Sequence, residues 1–328
     1  MHIPDHYLSP ETCLVLTAAM VPAWVISARK VRKEIPPEKL PMLGVSAAFS
    51  FLGMMFNIPL PGGTTGHAVG GTLAAVLTGP YGACISISVA LLLQALLFGD
   101  GGILAFGANC FNMAFVLPFV GYALTQFLRQ HLHGRKKEVI SAAIGSYAGI
   151  NAAALCAAIE FGIQPMLFRD AAGNALYCPY DLSISIPAMM AGHLTLFGLA
   201  EVVFTAAVIL FLEKTAPACL SPSSAEGKTG EEKWTGLLLG ALIAATPLGL
   251  LAEGTAWGEW GAEEIAGTGA GYTPAGMLEG FSFEALMPEY SLSGLPDFAA
   301  YLLAAAAGTA ILVMLFKLLP LTRRSSKR

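Results

Sequence analysis

The chain has 328 residues, 55% of them apolar and only 12% charged, with a formal net charge of −4 and a mean hydropathy of +0.65. Soluble domains carry about 25% charged residues, so a water-soluble fold is excluded and a multi-pass membrane protein is expected. No nucleic-acid footprint is present. The six cysteines (Cys13, Cys84, Cys110, Cys156, Cys178, Cys219) lack C-x-x-C spacing and read as packing residues, Cys178 alone lying in a polar connection.

The chain opens with Met1-His2-Ile3-Pro4-Asp5-His6. The α-amine, the backbone nitrogen of His2 and the His2 ring can close small chelate rings around one ion. Three coplanar nitrogens of this kind suit Ni(II) or Cu(II), and His67, in the Gly-rich stretch 61–71, is a candidate fourth ligand. Read alone, the terminus also fits an ordinary solvated tail. The chelate requires a free amine on Met1. A secretory leader would begin with basic residues, whereas the first here is Arg29, after the apolar run, so the first helix is expected to stay.

Apolar windows predict spans at about 13–28, 41–58, 67–79, 81–98, 104–128, 139–163, 183–212, 234–251 and 298–319. The third is short and rich in Gly and Ala, so it is expected inside the bundle; Gly145 and Gly149 in the sixth have the spacing of a close helix contact. Residues 215–233, with Pro217, Pro222 and three serines, read as a linker. Seventeen of the eighteen Lys and Arg fall in the loops after spans one and five, the linker and the tail, and only Arg169 falls outside. By the positive-inside rule these are cytoplasmic, which places the N-terminus outside and the C-terminus inside. The external stretch from Glu253 to Asp297 holds eight acidic residues and no Lys or Arg. Such a field attracts cations, although a charge run also serves to solvate a loop.

An intramembrane enzyme lacks a catalyst here: there is no H-E-x-x-H and no recognisable Ser/His/Asp grouping. Gly227-Lys228-Thr229 resembles the end of a phosphate loop but Pro222 stands where that loop needs glycine, so ATP hydrolysis by this chain is not expected. Gln94, Asn109, Asn112, Asn151, Glu160 and His193 are polar within spans and face an interior or a cavity. Gln94 and Asn112 are candidates to orient imidazoles, interhelical bonding being the other use of such amides. His193 reads as a core histidine, and His131 and His133 as solvated. A self-sufficient cation channel or ion-driven carrier is a further reading, for which Glu160 is the intramembrane charge.

Met1-His2-Ile3-Pro4-Asp5, Gly66-His67 within its Gly-rich loop, Leu96-Leu97-Phe98-Gly99-Asp100-Gly101-Gly102, Gly107-Ala108-Asn109 and Phe111-Asn112-Met113 together resemble the CbiM/NikM family over residues 1–214. These are substrate-specific components of energy-coupling-factor transporters for cobalt and nickel. The resemblance implies an all-α, seven-helix membrane bundle with its N-terminal segment inserted. It implies a metal held by the Met1 amine, the His2 backbone nitrogen, the His2 ring and His67, with Ni2+ or Co2+ as transported ligand and no catalytic cofactor. Asp5, His6, Thr65, Gln94, Asn109 and Asn112 are then the candidates for a supporting shell. A transmembrane coupling subunit and two cytoplasmic ATPases are the implied partners. The family usually has Gly where this chain has His6, which either shifts the inserted segment or adds an outer ligand. Residues 234–328, with Leu295-Pro296-Asp297-Phe298, are similar to the two-helix accessory component of the same transporters.

Overall fold

The structure is a computed structural model and describes residues 1–61, 63–134, 136–220, 231–281 and 283–325. Most of the expected linker, with Gly227-Lys228-Thr229, lies outside the described residues, as do Gly62, Arg135, Ser282, Lys327 and Arg328. The described chain is helical apart from one short hairpin: α1 (Pro10–Glu34), α2 (Leu40–Met54), β1 (Ile58–Leu60), β2 (Thr64–Gly66), α3 (Gly71–Leu93), α4 (Phe106–Asn109), α5 (Leu117–His131) and α6 (Lys137–Gly162). It continues through α7 (Gln164–Leu167), α8 (Leu182–His193), α9 (Leu196–Thr215), α10 (Glu231–Ala245), α11 (Ala262–Ile265), α12 (Ala275–Glu279) and α13 (Asp297–Ser325).

Helix α1 starts where Ser9 Oγ accepts the Thr12 N–H at 3.1 Å and Pro10 occupies the first turn, and it ends among Arg32 and Lys33, which favour a helix C-terminus. Its best apolar window is 17% buried, against 67% for residues 71–98, so α1 is peripheral and α3 is central.

Expected spans three and four emerge as one helical stretch folded back on itself. A straight helix over Gly71–Phe98 would be about 42 Å long. Yet His67, before it, lies 3.2 Å from His2, and Gly102, just after it, donates its N–H to Ile3 O at 2.8 Å. The reversal is at Gly79, whose φ of 77° and ψ of 162° are accessible to glycine, followed by Pro80, which has no N–H to extend a helix. Lys30 at the basic end of α1 sits over the Tyr81 ring at 5.5 Å, which places the turn at that basic end of the bundle. The first leg is therefore a half-helix beginning inside the bundle.

Seven described helical stretches are long and apolar enough to cross a membrane. The nine expected legs of the path remain; the third, expected to be short, is a half-helix, and α2, with 15 residues, is shorter than the expected span 41–58. Expected span seven is broken between α8 and α9, where Thr195 leaves helical geometry (φ −113°, ψ −106°). Gly145 and Gly149 do face α5: a Cβ on them would lie 2.5 Å from Gly121 O and 2.6 Å from Leu117 O respectively. Helix α13 packs on α2, with Tyr301 Oη donating to Met55 O at 2.7 Å. The connection between α10 and α13 lies across the outer end, where Gly276 N–H bonds Leu176 O and Met287 N–H bonds Leu97 O, each at 2.8 Å.

Candidate metal centre

The first nine residues run into the outer end of the bundle and are held there by backbone bonds. Asn109 pairs with Ile3 on both sides, Oδ1 accepting from Ile3 N at 2.7 Å and Nδ2 donating to Ile3 O at 2.9 Å. Asp5 accepts from Ile103 N at 3.1 Å, Leu104 N at 2.8 Å and Ala105 N at 3.4 Å, which ties down the turn that leads into α4. Gly102 is required at this crossing, since a Cβ there would be 2.3 Å from Asp5 Oδ1. The result is a segment with little rotational freedom, and its second residue points inward.

His2 is 2% exposed and His67 6%. Their rings are 5.0 Å apart between centroids, with His2 Nδ1 3.2 Å from His67 Nε2. His67 Nδ1 is 3.2 Å from Ala68 O, and the loop that follows is fixed from below by Glu201 of α9. Glu201 Oε2 accepts from Val69 N at 2.7 Å and Gly70 N at 2.9 Å, so a buried carboxylate caps the positive end of the half-helix. The Met1 amine lies 2.8 Å from Glu259 Oε1, in the connection before α13.

The other expected residues divide. Asp5 and Asn109 support the N-terminal segment as described. Gln94 and Asn112 orient no imidazole directly: Gln94 donates to Asp100 Oδ2 at 3.0 Å and to Tyr290 Oη at 2.9 Å, while Asn112 donates to Glu160 Oε2 at 2.7 Å. Both amides sit in wide π-turns, Gln94–Phe98 and Cys110–Val116, a geometry frequent at functional sites. Thr65 reaches Gly254 O at 3.4 Å, away from the rings. His6 has a φ of 79°, the conformation for which glycine is the default, and histidine is among the side chains that tolerate it. Its ring packs against Gly280, so it is displaced from the paired imidazoles.

Four residues with contacts here were absent from the expected set. Glu201 is a carboxylate inside an apolar run, a signal of the kind that flagged Glu160. Asp100 Oδ1 lies 3.1 Å from His2 Nδ1, and its other oxygen accepts from Tyr290 Oη. Burial and the neighbouring Asp100 push the Tyr290 phenol above its usual range, so it remains a donor. Glu259 and Tyr290 come from far along the chain, and their approach has no local signature. A cavity of about 350 Å³ over the N-terminal segment is lined by Asp5, His6, Gly101, Glu259 and Trp260. Cys178 is a packing residue: its N–H bonds Tyr7 O at 3.0 Å and burial pushes its thiol up to about 12. His193 is a core histidine with Nδ1 2.8 Å from Met189 O.

The model of the family described as the cobalt uptake substrate-specific transmembrane region matches residues 2–219, and that of the PDGLE domain matches residues 231–324. The chain is similar to a probable fused nickel transport protein of Lactiplantibacillus plantarum, 51% identical over 324 residues and 97% of either chain. It is 48% identical over 335 residues to a fused nickel transport protein of Rhodobacter capsulatus, covering 95% of each. A crystal structure titled as a truncated transition metal transporter superposes with a TM-score of 0.62 at 54% identity, over 65% of this chain and 99% of that one.

Proposed function

The chain belongs to the CbiM/NikM family of multi-pass cobalt and nickel transport proteins, with an accessory segment fused behind it; on that premise we propose that it binds Ni2+ or Co2+ at the outer face through four nitrogens. They are the Met1 amine, the His2 backbone nitrogen, His2 Nδ1 and His67 Nε2, with Met1 as the free terminus. The observation that carries this reading is the buried pair of ring nitrogens 3.2 Å apart. Metal–imidazole bonds are about 2.0–2.1 Å, so two ring nitrogens at right angles on one ion stand about 2.9 Å apart, a small adjustment from the observed spacing. His2 Nδ1 is also the ring nitrogen that closes a six-membered ring with the residue's own backbone nitrogen.

Each support has a task in this scheme. Asn109, Gly102 and Asp5 fix the backbone that supplies two of the four nitrogens, and Glu201 fixes the loop that carries His67. A planar nitrogen set removes water from the ion and favours Ni(II). The amine, the amide and the imidazoles all bind as deprotonated groups, so affinity falls as pH falls.

The scheme makes this chain the substrate-specific component of an energy-coupling-factor importer. Residues 1–214 form the metal-binding unit, 215–233 a cytoplasmic linker and 234–328 the accessory unit. A transmembrane coupling subunit and cytoplasmic ATPases drive release, which requires the planar set to be broken. Undiminished metal uptake by vesicles that contain this chain and no partner would overturn that dependence in favour of a self-sufficient carrier.

The direct test is calorimetric titration of the purified chain with Ni2+ and Co2+, comparing the native terminus with a chain extended by one residue before Met1. Extension turns the amine into an amide and displaces it, so tight binding is expected to be lost. Equal affinity for the two chains would withdraw the ligand set.

A further inference from the structure

We infer that Tyr290, brought to the outer end by the C-terminal segment, is a positioning residue for the His2 imidazole and acts through Asp100. The inference rests on the four-nitrogen reading and deepens it, because it makes the fused segment a working part of the same site. Tyr290 Oη donates to Asp100 Oδ2, and Gln94 Nε2 donates to that same oxygen at 3.0 Å and to Tyr290 Oη at 2.9 Å. One carboxylate oxygen is thereby fixed. The other, Oδ1, is left 3.1 Å from His2 Nδ1.

The consequence concerns rotation of the ring. The terminal torsion of histidine is broad and roughly two-fold, so a free ring presents Nδ1 or the non-ligating Cδ2 to the same point with little preference. Here Nδ1 is 3.1 Å from Asp100 and 3.2 Å from His67, while the buried Nε2 has no bond partner among the described residues. The carboxylate therefore selects, before the ion arrives, the ring flip in which Nδ1 and not Cδ2 faces the chelate. The contact itself is given up to the ion, so what Asp100 contributes is orientation of the ring, which the threefold-symmetric Met1 ammonium does not need from Glu259. Asp100 also places a negative group beside an ion whose charge a deprotonated amide only partly offsets.

The backbone at Tyr290 supports a dedicated role. Glu289 and Tyr290 have φ of 52° and 59°, a region that bulky side chains rarely occupy. Such strain persists where the surroundings over-determine it, and here the phenol ring is stacked on Phe98 at 4.8 Å and against Tyr301 at 5.4 Å. The stack holds the ring, and the hydroxyl holds Asp100.

The test uses the full chain and measures Ni2+ affinity for Tyr290→Phe, Asp100→Asn, the double variant and Phe98→Leu, with thermal unfolding followed in each. Tyr290→Phe keeps the stack and removes one oxygen; it is expected to weaken binding about tenfold, the lower range for groups that orient metal ligands. In the Asp100→Asn background the same change is expected to cost nothing further, a coupling that a purely structural role would not produce. Phe98→Leu removes one of the two flanking rings and leaves Tyr301 and the hydroxyl's own bonds to Asp100 and Gln94 in place, so it is expected to alter affinity by less than about twofold. Wild-type affinity for Tyr290→Phe, an equal loss with and without Asp100, or the same loss in Phe98→Leu would each overturn the inference. The N-terminally extended chain separates the two levels. If it binds as tightly as the native chain, the four-nitrogen reading falls and takes this inference with it. If it loses binding while Tyr290→Phe is silent, only this inference falls.

Discussion

Two irregular stretches close the outer end of the bundle, residues 1–9 and the connection between α10 and α13, and they reach the metal centre through different kinds of bond. Around Ile3 and Asp5 the bonds run to the backbone: from the Asn109 amide, from the Gly102 N–H and from three consecutive amides to one carboxylate. The later connection reaches the same centre through side-chain tips, Glu259 on the Met1 amine and Tyr290 on Asp100. Bonds with a backbone group at one end tie the path of the chain itself. Side-chain tips can let go without unfolding anything. The first stretch therefore builds the centre, and the second adjusts it.

Breaking the first stretch should have the larger effect. Asn109→Ala removes both side-chain bonds to Ile3 and strands its buried N–H, at a cost of about 1–3 kcal/mol, while Ile3 O keeps the bond from Gly102 N–H. Ni2+ affinity measured by calorimetry is expected to fall about 10- to 100-fold. Co2+ should fall in parallel, because the damage is to the placement of His2 and not to any preference between ions. An unchanged affinity would mean that Gly102 and Asp5 hold the segment without help.

Glu201→Gln examines the opposite side of the imidazole pair. The carboxylate accepts from Val69 N and Gly70 N at the start of the half-helix, and charge-assisted bonds of this kind contribute about 1.5–3 kcal/mol. Glutamine retains one acceptor and loses the charge, so the loop after His67 loosens without collapsing. Thermal stability is expected to fall by about 1–2 kcal/mol and Ni2+ affinity by about three- to tenfold, less than for Asn109. A loss of affinity as great as that of Asn109→Ala would show that the His67 loop matters as much as the N-terminal segment.

The same contrast explains what was readable in the sequence. The apolar windows announce the helices because a membrane requires long runs, and the break between the windows 67–79 and 81–98 falls at Gly79-Pro80, a pair through which few helices continue. His2 and His67 were legible because each sits in a compact local pattern. Asn109 and Asp5 stood in recognisable motifs, but their bonds did not, since a bond between residues 3 and 109 has no periodicity. Glu259 and Tyr290 lie 258 and 190 positions from their partners, in a Gly-rich stretch whose acidity reads equally as solvation. Glu201 carries a usable signal of the same kind as Glu160, a carboxylate in an uncharged run. His6 was visible as a departure from glycine, but its meaning depended on a φ of 79° that only the folded chain displays.

Glu259→Gln has the smallest expected effect and the opposite sign. Glu259 is 23% exposed, and a partly solvated ion pair contributes about 1 kcal/mol or less. In the metal-free chain its carboxylate lies 2.8 Å from the Met1 amine, the group that must give its lone pair to the ion. Binding therefore has to break this contact, and removing it favours the complex. Against that stands attraction between the carboxylate and the bound cation. The chelate exchanges one positive charge for another, however: the ammonium is lost, and a divalent ion with one deprotonated amide carries a single net charge. Glu259 thus meets the same charge before and after, at closer range before. Affinity for Ni2+ is expected to tighten about two- to fivefold at fixed pH, whereas Tyr290→Phe, altered in the same connection, weakens it. A tenfold loss in Glu259→Gln would place that carboxylate on the ion itself and would make the later connection a builder of the centre, as the N-terminal segment is.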